Sequence, residues 1–192
     1  MSRRIFSFES PDRFVCGALG EPGQRTFFLQ ASKGRQTVSV ALEKAQVAVL
    51  AERLALLLLR LREQGIAAAD GTSAQILLPP QPEALAEPVV EAFRVGSMIL
   101  SWDEESERVV IEAHELGGTA SDEDEDAEVV EIPDDDPNGP DLVRVHLEPA
   151  EAQSFVAGAV AVMQAGRPPC PNCGEPLDQT GHFCARRNGY AH

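Results

Sequence analysis

The sequence predicts an α+β fold in which two β-β-β-α halves build one or more antiparallel sheets, followed by a zinc-binding tail. Short runs of alternating apolar residues predict the strands, and two longer runs with helical apolar spacing predict the helices. Three of the chain's four cysteines lie together near its end and predict the tail. The chain has 192 residues, enough for one domain over residues 1–166 and a tail over residues 167–192.

The first half, about residues 1–65, is predicted to place its strands before a helix. Apolar alternation predicts strands at residues 4–8, 14–19, 26–30 and 37–42, separated first by Pro11-Asp12 and then by two glycine-containing turns. We expect these strands to form an antiparallel meander, with their phenylalanines in the core.

A leucine-rich helix is predicted over residues 44–64. Its apolar stripe consists of Leu50, Leu54, Leu57 and Leu61, widened by Val47, Leu56 and Leu58. Because the stripe is so wide, we expect the helix to be buried on most sides, either at the centre of the domain or in a dimer interface.

The second half, about residues 90–166, repeats this order after a connector. Residues 66–89 are rich in Ala and Pro, with a short strand predicted at Gln75–Leu78. Strands are then predicted at about residues 91–102 and 108–115.

The last strand and helix of this half are predicted at residues 142–147 and 149–164. The helix has Pro149 at its first position, where proline is tolerated. In the strand, Val143, Val145 and Leu147 are expected to face inwards, and Arg144 and His146 outwards, with His146 an ordinary surface histidine.

An acidic insertion, residues 118–140, interrupts the second half. The net charge of the chain is −15, and residues 121–141 hold eleven Asp or Glu and no Lys or Arg. Residues 1–62, in contrast, carry ten Arg or Lys against five Asp or Glu. So many like charges resist collapse, and we expect the insertion to be disordered. It serves either solubility alone or the screening of the basic surface of residues 1–62.

Two short matches indicate an internal repeat. Val38-Ser-Val-Ala-Leu-Glu-Lys-Ala45 and Val143-Arg-Val-His-Leu-Glu-Pro-Ala150 share the pattern V-x-V-x-L-E-x-A, and Phe14-Val-Cys-Gly17 is similar to Phe93-Arg-Val-Gly96. We interpret them as a duplication; the alternative is two unrelated strand-to-helix turns. In a duplicated fold, the cleft between the halves is the natural place for a ligand.

The tail carries the ligands of a predicted structural zinc site: Cys170, Cys173, His182 and Cys184. A thiolate pair two residues apart and a second pair of soft ligands suit tetrahedral Zn²⁺, and a closed four-ligand site is structural. A tail this short has no core of its own, so the metal would fold it. Three alternatives stay open: His192 in place of His182, a disulfide with a spare thiol, and a site that leaves one position to water.

The chain carries no predicted export or membrane signal. Its first residues contain no apolar signal region, and its longest apolar run, Leu54–Leu59, is too short to span a bilayer. With few cysteines as well, we expect a cytoplasmic protein. The acidic net charge disfavours DNA and RNA as partners, although Arg186, Arg187 and Tyr190 could touch RNA.

The chain resembles one actinobacterial family, known as domain of unknown function 3090. The resemblance rests on Phe14–Gly17, on the two V-x-V-x-L-E segments, and on the ending Cys170-Pro-Asn-Cys-Gly-Glu-Pro-Leu-Asp178 with Gly181-His-Phe-Cys-Ala-Arg-Arg-Asn-Gly-Tyr190. It covers the whole chain. The family's genes tend to lie beside a histidine-phosphatase-like and a lipid-kinase-like gene, so the resemblance implies phosphotransfer partners. It implies no catalytic residues.

Motif analysis favours a binding or regulatory protein over an enzyme. The sequence contains no glycine-rich phosphate loop, no nucleophile elbow and no His-Glu-x-x-His pair. We therefore expect a zinc-stapled protein that binds a protein partner or a small anionic ligand, in an oligomeric state that the sequence leaves open. The alternative is a small enzyme for an anionic, phosphorylated substrate, using Arg and Lys of residues 1–62, His146 or an open metal site.

Overall fold

The computed structural model describes residues 3–21, 23–66, 83–117, 139–165 and 172–173. Seven strands and two helices lie within these ranges. Their order is β1 (Ile5–Phe8), β2 (Arg13–Leu19), β3 (Thr26–Lys33), β4 (Gln36–Leu42), α1 (Lys44–Glu63), β5 (Glu91–Asp103), β6 (Arg108–Glu115), β7 (Leu142–Leu147) and α2 (Pro149–Gln164).

The seven strands form one mixed sheet in the order β1-β7-β6-β5-β4-β3-β2. Most neighbours are antiparallel, but β1 is parallel to β7, and β4 is parallel to β5. The predicted α+β class is confirmed, whereas a wholly antiparallel sheet is wrong. Parallel neighbours need a crossover connection, and the connection between β4 and β5 contains α1.

β1 does not belong to the predicted meander. Phe8 lies opposite Val145 of β7, and the short segment Glu9–Asp12 then leads to β2 at the other edge of the sheet. The sheet therefore curls until its two edge strands come close. Arg4 fixes β1 there, because its backbone N–H and its Nε donate to the Asp141 carboxylate at 2.8 and 2.6 Å. Apolar alternation predicts a strand but not its neighbour, which explains the error.

The core lies against the inner face of the curled sheet. The inward positions predicted for β7, Val143, Val145 and Leu147, are buried, and Arg144 and His146 are half-buried on the outer face. Residues from β2, β3, β4, β6 and β7 line a central void of about 10 Å³, which is close to the size of a single water. The strands of both halves of the chain therefore share one core.

α1 buries only one face, which corrects the expectation that it is buried on most sides. Its buried residues are Val47, Leu50, Ala51, Leu54, Leu58 and Leu61. Leu57 is half-buried and Leu56 is exposed. The reason is that α2 packs along one flank of α1, where Arg62 donates to Gln153 at 2.5 Å, whereas no described element packs closely against the opposite flank.

Both helices begin with the same capping arrangement. The backbone N–H of Glu43 donates to the Gln46 side chain at 2.8 Å, and that of Glu148 donates to Glu151 at 2.8 Å. In each case the carboxylate of the first residue accepts a bond from the backbone of the later one. The shared V-x-V-x-L-E-x-A pattern therefore has a local cause, and duplication of the halves stays a prediction.

Several predictions fall on parts of the chain outside the described residues. These are the short strand at 75–78, the acidic insertion apart from Gly139 and Pro140, and the tail apart from Asn172 and Cys173. The disorder of the insertion and the division of the chain near residue 166 therefore stay predictions.

Candidate functional site

An open groove runs between α1 and the second half of β5. Its volume is about 940 Å³, and typical ligand sites measure about 300–1,000 Å³. Val49, Leu50, Leu56 and Leu57 form its wall on α1, and Met98 and Leu100 form its floor on β5. We call this feature the α1–β5 groove.

The wall of the groove exposes large apolar side chains. Val49 and Leu56 are 47% and 49% exposed, and Leu59 beside them is 51% exposed. Scattered apolar residues on a surface are ordinary, but a contiguous apolar patch on a soluble chain marks an interaction site. The groove combines such a patch with a concave shape.

The floor of the groove begins where the pairing of β4 with β5 ends. The register of β5 shifts between Val95 and Ser97. At this point the Gln46 amide nitrogen donates to the backbone oxygens of Val95 and Gly96, at 3.2 Å each. Gln46 is also the residue that caps α1, so one side chain fixes both the start of the helix and the upper end of the groove.

The rim of the groove carries positive charge. Arg53 and Arg60 line it together with Glu52. Most arginines elsewhere in the described chain have acceptors: Arg94 pairs with Glu43 at 2.9 Å, for example. Within the described residues, neither Arg53 nor Arg60 has a side-chain hydrogen bond or ion pair. The rim can therefore accept an acidic group from outside.

The corresponding cleft between α2 and β2 is narrower. Its volume is about 310 Å³, and the rings of Phe14 and Phe155 stack across it with their centroids 4.6 Å apart. α1 carries Leu50, with no aromatic ring, at the position that corresponds to Phe155 in the shared pattern. The two clefts therefore differ in size because an aromatic stack fills part of the cleft between α2 and β2.

A polar cluster occupies the outer face of β6 and β7. Glu112 accepts from Arg144 Nε at 2.6 Å and lies 3.3 Å from His114 Nε2. The contact with His114, followed by that with Arg144, holds the pKa of Glu112 below its usual value despite partial burial. His114 is buried, and its Nδ1 has no hydrogen-bond partner within the described part of the chain. None of the cavities described above reaches this cluster, so we assign it to the stability of the sheet.

Cys16 is the one cysteine of the sequence outside the tail, and its surroundings disfavour the thiolate. It is buried on the inner face of β2, and burial raises its pKa to about 12. His146, a candidate for catalysis, lies half-buried on β7 and is not among the residues that line the groove. The described residues therefore bring no nucleophile and base together in the groove.

The predicted metal ligands fall almost wholly outside the described residues. Cys170, His182 and Cys184 lie there, as does the alternative ligand His192, and Cys173 is described as half-buried. Three thiolates and one imidazole are a donor set that fits tetrahedral Zn²⁺. Within the described ranges, no three His, Cys, Asp or Glu side chains converge as metal ligands would.

The sequence did not reveal the groove. α1 is apolar around most of its circumference, so periodicity could not separate the core face from the groove face. The signal lay in its charged residues, because Glu52, Arg53 and Arg60 fall on the flank that stays open. A helix that is buried on all sides would not carry charges there.

The fold and the groove together define a mixed-sheet α+β protein with an open helix–strand groove. The chain belongs to the family described as "Protein of unknown function (DUF3090)", whose model matches residues 6–184. No curated protein and no solved structure matches the chain. None of the described helices is long and apolar enough to cross a membrane.

Proposed function

We propose that this protein is a zinc-stapled cytoplasmic binding or regulatory protein, which docks a protein partner in the α1–β5 groove. One observation carries the proposal: Val49, Leu56 and Leu59 expose about half of their surface beside an open apolar floor. Removing such an apolar surface from water stabilises a complex by about 25 cal/mol for each Å² that is buried.

The chemistry of the groove supports binding over catalysis. Its charged lining residues are Glu52, Arg53 and Arg60, and no His, Cys, Ser, Thr, Tyr or Lys is among the described residues that line it. Cys16, Asp103 and Glu112, whose pKa values are shifted, lie outside the groove. The enzyme alternative therefore has no convergent set of groups in the described chain.

The zinc staple is the second part of the proposal. Cys170, Cys173, His182 and Cys184 would hold one structural Zn²⁺ and fold the tail around it. The donor set supports this assignment. Partners from phosphotransfer chemistry are proposed only on the family resemblance.

We also infer that the two halves arose by duplication. Supporting this, each half places an antiparallel hairpin before a strand that leads straight into a helix, and both helices share one capping arrangement. A solved structure in which the Cα atoms of β2–β4–α1 and β5–β7–α2 do not superpose would contradict the duplication.

The test of docking is a comparison of tagged full-length variants purified from the native host. Leu56→Asp places a charge in the groove, whereas Val90→Asp does the same at a 69% exposed position outside it. We expect a partner that co-purifies with wild type and Val90→Asp to be lost from Leu56→Asp. Equal recovery with both variants would rule out docking in the groove.

A further inference from the structure

The second half of β5 has an open backbone edge, although β5 is the central strand of the sheet. β4 pairs with it only at Ser39–Glu91 and Ala41–Arg94. From Ser97 to Asp103, β5 pairs with β6 on one side, and no described strand pairs with its other side. Each residue of this stretch is at least partly exposed. An exposed row of unpaired N–H and C=O groups is a template for one more strand.

The first part of the open edge runs along the α1–β5 groove. Gln46 satisfies the carbonyls of Val95 and Gly96 where the pairing with β4 ends, and Met98 and Leu100 beyond that point line the groove. An extended segment placed there would bond to the β5 backbone and bury side chains against Val49 and Leu56. A helical segment could use the apolar wall but would leave the backbone groups of β5 unpaired.

The chain already holds one segment of suitable chemistry against the other half of its sheet. In Glu83-Ala-Leu-Ala86, the Glu83 carboxylate pairs with Arg13 at 3.0 Å, and Arg13 also donates to the Ala84 carbonyl. Leu85 packs over Gly17. Gln30 bonds to both the N–H and the carbonyl of Ala86, at 2.7 and 3.1 Å. Acidic and apolar side chains on one segment are thus held by arginine, an apolar surface and amide groups.

We propose that the occupant of the α1–β5 groove is an extended segment of a partner protein, carrying apolar and acidic side chains, that adds as a strand to the edge Ser97–Asp103. This rests on the proposed function and names the partner's chemistry. Apolar side chains of the segment bury Val49 and Leu56. Its carboxylates reach Arg53 and Arg60, whose long side chains extend from the same wall.

The probe is a short fluorescein-labelled glutamate–valine peptide, titrated against the full chain by fluorescence anisotropy. Its glutamates and valines take turns at every second position, with threonine between them, so that both kinds of side chain face α1 when the peptide is a strand. We compare it with a lysine–valine peptide and with a glutamate–valine peptide whose backbone is N-methylated at every second residue. N-methylation removes donors along one edge and leaves side chains intact. We expect each control peptide to bind at least about tenfold more weakly, since strand addition depends on main-chain bonds and on charge.

Protein variants complete the test. The double variant Arg53→Glu, Arg60→Glu should weaken the glutamate–valine probe about tenfold, as the loss of two exposed ion pairs suggests, and it should strengthen the lysine–valine probe. Leu56→Asp should weaken both, and Val90→Asp neither. Circular dichroism verifies that each variant is folded.

Each failure points to a different error. Equal binding of the N-methylated probe would overturn strand addition, while docking would still hold if Leu56→Asp loses the co-purified partner. Equal binding of the lysine–valine probe would overturn the acidic specificity. If no probe binds and the chain is a dimer that Leu56→Asp dissociates, the occupant is a second copy and the proposal is wrong.

Discussion

The partners of each charged side chain indicate whether it stabilises the fold or is available to bind a ligand. Glu112 sits between Arg144 and His114 on the outer face of β6, with 18% of its side chain exposed. Its contacts with these two residues compensate for the loss of hydration on burial. We therefore regard the Glu112–Arg144 ion pair as structural. Arg53 and Arg60, in contrast, keep their charge available on the rim of the groove.

Removing the Glu112 carboxylate should make stability less dependent on pH. We expect Glu112→Gln to lower the free energy of unfolding at neutral pH by about 1–2 kcal/mol, because Arg144 and His114 lose a charged acceptor. The pKa of Glu112 is lowered in the folded chain. Its contribution is therefore present above its unfolded pKa of about 4.3 and is lost as the pH falls through the folded pKa.

Urea unfolding of wild type and Glu112→Gln at pH values from neutral to acidic measures this effect. The two stability curves should converge in acid. Glu104→Gln, at an exposed position of the β5–β6 turn, is the control and should follow wild type. A constant difference at all pH values would contradict the ion-pair assignment.

At the scale of elements, the sequence predicted the strands and helices well but not their neighbours. The strand at 142–147 and the helix at 149–164 have the predicted bounds. The apolar periodicity of an element and the caps of a helix depend on residues that are close together in the sequence. The parallel pairing of β1 with β7 depends on Arg4 meeting Asp141 across the length of the chain, which no local pattern encodes. The groove could not be predicted for the same reason, because it forms where the pairing of β4 with β5 ends.

α1 should show two faces with very different sensitivity to truncation. Leu54→Ala removes a fully buried side chain and should cost about 2–5 kcal/mol of the free energy of unfolding. Leu56→Ala, two residues away at an exposed position of the same helix, should change it by at most about 0.5 kcal/mol. Chemical unfolding of both variants measures the difference. A large cost for Leu56→Ala in a monomeric chain would restore the earlier expectation of a helix buried on most sides.

At the scale of the whole molecule, a folded domain is accompanied by an acidic insertion and by a tail that is predicted to bind zinc. The insertion is predicted to act through its charge and the tail through its metal, and neither prediction depends on apolar burial. Their contributions should therefore separate cleanly from the stability of the sheet domain.

Zinc should stabilise the fold of the tail without contributing to the stability of the sheet domain. Elemental analysis of protein purified without chelator should find about one Zn²⁺ per chain. Cys173→Ser should release the metal, while the unfolding midpoint of the sheet domain stays unchanged. His182→Ala should weaken zinc binding and His192→Ala should not; the reverse result would make His192 the ligand. Absence of zinc from wild type would reject the staple.

Deletion of residues 121–140 should strengthen the binding of polyanions to the basic surface of residues 1–62. Asp141 is kept because it pairs with Arg4. The deletion removes ten of the eleven acidic residues counted above. Exposed charges are screened beyond about 8 Å at physiological salt, so the gain should fade as salt rises. Titration with polyphosphate at two salt concentrations measures it. Equal affinity at low salt would leave the insertion with a role in solubility only.

The central claim is that a partner segment adds to the edge of β5 within the α1–β5 groove. Amide hydrogen exchange of the full chain, with and without the glutamate–valine probe, tests it most directly. The account predicts slower exchange of the amides in Ser97–Asp103 when the probe is bound, with little change in β2 and β3. Unchanged exchange in Ser97–Asp103 under saturating probe, or protection confined to other strands, would contradict it.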